Sequence, residues 1–187
     1  MRLFEIKGNP EEFKQWVQNH VEGWNATASM KKILSSPIAK QYRKPDGKYI
    51  YRAWAMSAKN AVELYGDVDW GDEGRIRVPN TAESITLPSK KPYLSFSWTE
   101  AGAISRSRDD DFGQHLRRPV IVLTKTELYS PDDILFNLVQ YGREEGLKDP
   151  TIKQEAEVLL PANEHYLTIA PEEVIRFSPS DPYKNLY

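Results

Sequence analysis

The chain contains no cysteine in its 187 residues. That absence excludes disulfides, thiolate metal sites and cysteine nucleophiles, and it fits a reducing compartment. Histidine is scarce as well: His20, His115 and His165 lie far apart in sequence, and none has a ligand partner at helical or hairpin spacing. No zinc site or other metal is expected. The ten glycines form neither a dinucleotide fingerprint nor a phosphate loop. Neither sign of charge dominates, because 25 basic residues face 27 acidic ones for a net charge of −2. No global field therefore draws the chain to nucleic acid or to anionic lipid. No stretch approaches the roughly 20 apolar residues of a membrane span, and MRLFEIKGNPEEF lacks the apolar run of a signal peptide. The expectation is a cytoplasmic protein with no membrane partner.

What is present is the composition of a folded chain. Hydrophobic residues make up 40 % and charged residues 28 %, with ten Tyr, five Trp and six Phe. The length suits one domain over 1–187, with a helical N-terminal segment over 1–45 and a core over 46–178. Asn9, Pro10, Glu11 and Glu12 read as a helix start, and Phe13, Trp16, Val17, His20, Val21 and Trp24 recur at helical spacing as one buried face. A second helix is expected over about 26–41, with Pro37 as its point of interruption. After the turn Lys44-Pro45-Asp46-Gly47, Tyr49 to Trp54 reads as a strand, followed by a helical stretch from Ser57 to Tyr65 and the loop GDVDWGDEG.

Strand signals return at Ser84 to Leu87 and at Tyr93 to Trp98. Thr99 caps a helix that starts at Glu100 and fades by Asp109 to Gly113. VIVLTK, from Val120 to Lys125, is a buried strand by composition. Ser130-Pro131-Asp132-Asp133 is expected to open a helix carrying Ile134, Leu135, Leu138, Val139 and Tyr141. Strands are then expected at Glu157 to Leu160, Tyr166 to Ile169 and Val174 to Phe177. Helices come first and strands dominate afterwards, which favours an α+β fold with a mixed or antiparallel sheet over a regular βαβ array.

Most polar features have an ordinary explanation. DVDWGDEG, with Asp67, Asp69, Asp72 and Glu73, lacks the ligand spacing of a calcium loop and reads as solvated. Arg106, Arg108, Arg117 and Arg118, with Lys90 and Lys91, form the local basic clusters and read as surface. His20, on the buried face of the first helix, reads as a satisfied core histidine. Three elements resist that treatment, because each puts a polar group on a strand where a core residue belongs. They are Arg52 in YIYRAW, Ser95 and Ser97 in YLSFSWT, and Glu155 and Glu157 in QEAEVLLP. An arginine or carboxylate on a central strand must pair, reach solvent at a strand end, or line a ligand cleft.

In their order along the chain, YRAW, LSFSWTEAGAIS and QEAEVLLP followed by HYLTI resemble the Arg-Ser-Glu class of mono-ADP-ribosyltransferases. The resemblance covers about residues 49–169, and the compact size is similar to that of phage-encoded members that modify proteins of the host cytoplasm. One departure is visible: the family's serine motif usually reads Ser-Thr-Ser, and Phe96 stands in the middle here, at a position that alternates away from a cleft on a strand.

The resemblance implies an ADP-ribosyltransferase-like sheet core, NAD as co-substrate, and transfer of ADP-ribose to an arginine of a target protein with release of nicotinamide. It implies that Glu157 stabilises the ribose cation and that Glu155 orients the acceptor, an acid at that position going with arginine as target. Arg52 would grip a phosphate or ribose of NAD, and Ser95, with Ser97, would serve the same site. Arg106 would be a second phosphate contact, not separated from Arg108 by sequence alone. Trp54, Trp98 and Phe112 are the candidates for stacking on nicotinamide. Two alternatives stay open: water or a nucleic acid as acceptor on the same fold, and a binding module that does not take NAD.

Overall fold

A computed structural model of the protein describes residues 8–65, 75–77, 84–86, 91–109 and 119–176. The loop GDVDWGDEG, Phe112, Phe177 and the side chain of Arg108 lie outside the described residues. The fold is α+β. Strands β1 (Tyr49–Ser57), β2 (Arg75–Arg77), β4 (Tyr93–Ser97), β5 (Pro119–Glu127), β6 (Phe136–Asn137), β7 (Glu157–Pro161) and β9 (Glu173–Arg176) form one antiparallel sheet in the order β2-β9-β5-β1-β4-β7-β6. A separate pair joins β3 (Ile85–Thr86) to β8 (Thr168–Ile169). The helices are α1 (Pro10–Val21), α2 (Ala26–Ser35), α3 (Ala58–Tyr65), α4 (Glu100–Asp109), α5 (Leu138–Glu144), α6 (Pro150–Glu155) and α7 (Glu164–Leu167). Among the described residues no helix is long and apolar enough to cross a membrane.

Alternation along the strands sorts the core onto two faces. On one face, Tyr51, Ala53, Ala55, Ile121, Leu123 and Ile175 pack under α4 through Ala103 and Ile104. On the same face farther along the sheet, Leu159 and Phe136 lie under the N-terminal helices, whose Phe13, Val17, Met30 and Ile33 are buried with them. The opposite face buries Val120, Val122 and Val174 with Ala61, and Leu94, Phe96, Val158 and Leu160 with Tyr166. α4 and the α1–α2 hairpin thus sit side by side on one face.

Several expectations are corrected by local capping. Trp24 was expected on the buried face of α1, but the helix stops at Val21, Gly23 turns the chain at φ 75°, and Trp24 is 72 % exposed. Ser130 caps only a short 3-10 turn over Pro131–Asp133, and Ile134 and Leu135 are not helical. The helix begins at Leu138, where Asn137 Oδ1 accepts from the amides of Val139 and Gln140 at 3.0 and 3.2 Å. Tyr166 and Leu167 belong to α7, capped by Asn163, so only Thr168–Ile169 are extended. Glu155 is not on a strand but closes α6, which Asp149 caps and Pro150 opens. The interruption at Pro37 is present, with Ser36 capping a 3-10 turn over Pro37–Gln41.

Candidate functional site

β1 and β4 pair at one register point, Tyr51 with Ser97, and part beyond it. Their separation opens a cleft of about 590 Å³ between α4 and the N-terminal hairpin. The cleft is lined by Arg52 from β1, Ser95 and Ser97 from β4, Arg106 from α4, and Glu155 and Glu157 from the end of α6 and the start of β7. All six residues were singled out from the sequence. Arg52 stands on the far face by strand alternation, and the residue lines the cleft where β1 and β4 part. Its Nη1 donates to the Ser95 carbonyl at 3.4 Å and its guanidinium lies 5.7 Å from the centre of the Phe96 ring.

Glu157 is the centre of the arrangement. It is 1 % exposed, an unusual state for a carboxylate unless it is partnered. Ser95 Oγ donates to its Oε1 at 2.5 Å, and the Arg106 guanidinium pairs with the same oxygen. His20 Nε2 lies 2.8 Å from Oε2. Burial pushes the Glu157 carboxyl up, but the Arg106 and His20 charges and the hydrogen bonds from His20 and Ser95 outweigh it and hold the group well below the usual carboxylate range. The carboxylate is buried, held by partners on both oxygens and kept ionised, and it lines the cleft.

The backbone between the two glutamates explains their separation. Glu155 ends a helix and Glu157 begins a strand, and Ala156 makes the change in the left-handed region at φ 47°. A non-glycine residue there costs about 1–2 kcal/mol, and the Ala156 amide and carbonyl are satisfied by the Ile152 carbonyl and the Trp98 amide at 3.2 and 2.9 Å. The turn aims both acids at one guanidinium, with Arg106 Nη1 3.6 Å from Glu155 Oε2.

Ser97 serves the scaffold: its hydroxyl donates to the Glu155 carbonyl at 2.7 Å and accepts from the Thr99 amide at 3.1 Å. Gly102 completes that junction, because a Cβ there would collide with the Glu155 carbonyl and the Ser97 hydroxyl.

The arrangement departs from the expectations at three places. Arg106 lies against the two acids, so its guanidinium is engaged by carboxylates where a phosphate contact was expected. Trp54 and Trp98 do not line the cleft: Trp54 packs at the edge of the core and Trp98 is buried within it. Among the described residues the Tyr, Phe and Trp that line the cleft are Tyr51, Tyr93 and Phe96, and the ring of Phe96 is buried and meets Tyr166 edge-on at 6.0 Å. The serine motif's central residue therefore does turn into the core.

His20 was read as a core histidine, and its contact with the buried carboxylate was missed. The signal lay in its position: His20 continues the stripe of Phe13 and Val17 one turn further, and Glu157 shares a strand face with Leu159, on which that stripe packs. Among the described residues no three His, Asp or Glu side chains are grouped so as to hold a metal ion. No protein-family model, curated protein or solved structure matches the chain.

Proposed function

We propose that the protein is a mono-ADP-ribosyltransferase that cleaves NAD at its nicotinamide–ribose bond and transfers ADP-ribose to an arginine side chain of a target protein. The observation that carries this reading is the buried, ionised Glu157, held by Ser95 and facing a cleft that Arg52 also lines. Departure of nicotinamide leaves an oxocarbenium-like ribose, similar in charge to the transition state of glycoside hydrolysis. A carboxylate fixed before the reaction stabilises that cation without reorganising, and it can accept a hydrogen bond from the ribose 2′-hydroxyl. Arg52 offers a permanently charged, forked donor set for a phosphate or ribose hydroxyl of NAD.

Arginine as acceptor is supported by the company of Arg106. Glu155 and Glu157 already have one guanidinium between them, which is the geometry an incoming arginine would need. In the reaction, one guanidinium nitrogen of the acceptor forms a bond to the ribose C1′ as the C1′–nitrogen bond to nicotinamide breaks. The bonding pair leaves with nicotinamide, and the nitrogen's proton passes to Glu155 or solvent. The cleft is furnished from the family-like core over residues 46–178 and, through His20, from the helical segment before it.

The test uses NAD labelled in its adenylate, incubated with the protein and a host-cell lysate. Labelled protein that an arginine-specific ADP-ribosyl hydrolase strips is the expected result. Nicotinamide release with no labelled macromolecule makes water the acceptor, label on nucleic acid makes that the acceptor, and failure to bind NAD leaves a binding module.

A further inference from the structure

Glu157 has two oxygens, and they are held by different parts of the chain. Oε1 is taken by Ser95 of β4 and Arg106 of α4, both in the sheet core. Oε2 faces His20, delivered by α1 from the N-terminal segment, at 2.8 Å. On its other side Nδ1 lies 3.4 Å from the Ala26 carbonyl at the start of α2, a contact that becomes a hydrogen bond when Nδ1 carries a proton. Its placement is enforced by packing, because Phe13 and Val17 on the same helical stripe are fully buried against the residues around Leu159.

We propose that His20 is a positioning residue for the Glu157 carboxylate, and that protonation of its imidazole weakens that carboxylate's hold on a cationic ribose. The inference rests on the reading of the cleft given above. In the neutral tautomer that carries the Nε2 proton, His20 orients Oε2 by donating to it and adds no charge. In the imidazolium it still orients Oε2, but a second cation then stands beside Arg106 against the same carboxylate. A positive charge developing on ribose is opposed by that added charge. Other charged or titratable groups face this set: Glu155 from α6, which offsets Arg106, with Arg52 from β1 and Lys91 and Tyr93 lining the rest of the cleft.

Burial lowers the proton affinity of His20, and the Glu157 charge and hydrogen bond raise it by more, so it titrates above the usual histidine value of 6.5. The proton is therefore lost on the alkaline side of that value, and NAD cleavage speeds up as it is lost.

The first arm of the test needs no activity: proton NMR titration of the three histidines in the full chain, in wild type and in Glu157→Gln. The His20 midpoint is expected to fall by about one pH unit or more in the variant, since its charge partner is gone and burial remains. An unchanged midpoint overturns the proposal.

The second arm follows nicotinamide release against pH in wild type, His20→Gln and His20→Ala. Wild type should show a rise at the His20 midpoint. His20→Gln, which donates without titrating, should lose that rise and run within about threefold of the alkaline wild-type rate. His20→Ala should lose about tenfold in kcat with KM for NAD unchanged, in line with one charge-assisted hydrogen bond. A purely structural role predicts no change in the pH profile, and a rise that persists in His20→Gln overturns the proposal while leaving the cleft's function intact. A wild-type protein that never consumes NAD overturns both.

Discussion

Ser95 and Glu157 are not register partners, since Ser97 is the residue opposite Glu157, yet the Ser95 hydroxyl reaches diagonally across β4 and β7 to the Glu157 carboxylate at 2.5 Å. A hydroxyl so placed leaves the carboxylate one orientation toward the cleft. Ser95→Ala removes a charge-assisted donor worth about 1.5–3 kcal/mol. The expected outcome is a drop of about 10- to 100-fold in kcat for nicotinamide release, with a fall in thermal stability that reflects the loss of that hydrogen bond, while Arg106 stays on the same oxygen. Steady-state kinetics with a parallel melting curve checks both halves.

In the proposed reaction Glu155 serves the acceptor rather than the cleavage of NAD. It pairs with Arg106 from the side of the cleft, whereas Ser95 and His20 contact the Glu157 carboxylate directly. Glu155→Gln should therefore abolish transfer to arginine while keeping some NAD hydrolysis. Equal loss of label transfer and nicotinamide release, measured in one reaction, would remove the acceptor role from Glu155.

Gly102 holds the acidic pair from behind. Gly102→Ala forces its Cβ into the backbone carbonyls of Glu155 and Gln154, which no side-chain rotation relieves, as well as into the Ser97 hydroxyl. Overpacking of this kind costs about 1–3 kcal/mol. Urea unfolding should show that loss, and transfer activity should fall further than stability alone explains. A variant with unchanged midpoint and activity contradicts the packing account.

The His20–Glu157 link has a signed pH dependence. Glu157 is depressed, so its contribution to stability is in place above its ordinary value near 4.5 and is lost as pH falls through the folded value. His20 is raised, so its contribution is in place below its ordinary value of 6.5 and is lost as pH rises through its folded value. The difference in unfolding free energy between wild type and Glu157→Gln should be greatest between those two ordinary values and should shrink on either side. Urea titrations at a series of pH values measure it, and a flat difference contradicts the link.

How much of this was legible in the sequence depends on whether the signal was local. Arg52, Ser95 and Glu157 announced themselves because a charged or hydroxyl residue interrupted an apolar strand, and a sheet that aligns those strands brings the interruptions together. β1, β4 and β7 were readable from the strand-forming runs around those residues, and β5 from its apolar composition. Caps were harder to read: Ser130-Pro131-Asp132-Asp133 was read as the helix start, but Ser130 caps only a 3-10 turn, Phe136 and Asn137 form β6, and Asn137 caps the helix that follows.

Partners across the fold were not readable at all. The stripe of Phe13, Val17 and His20 revealed which side of α1 is buried, but what it is buried against depends on where the hairpin docks. Which aromatic faces the cleft was not readable for a similar reason. Trp54 and Trp98 were attractive for ring size, whereas exposure to the cleft is set by strand parity and by the point where β1 and β4 part.

The central claim is that the buried carboxylate of Glu157 drives cleavage of NAD. The most direct measurement is nicotinamide release under saturating NAD by wild type and Glu157→Gln, with binding of NAD to each followed separately. The account predicts that the amide variant keeps its fold and binds NAD, yet loses about 100-fold or more in the rate of release, as removal of a preorganised electrostatic group does. Release by Glu157→Gln at the wild-type rate would contradict it.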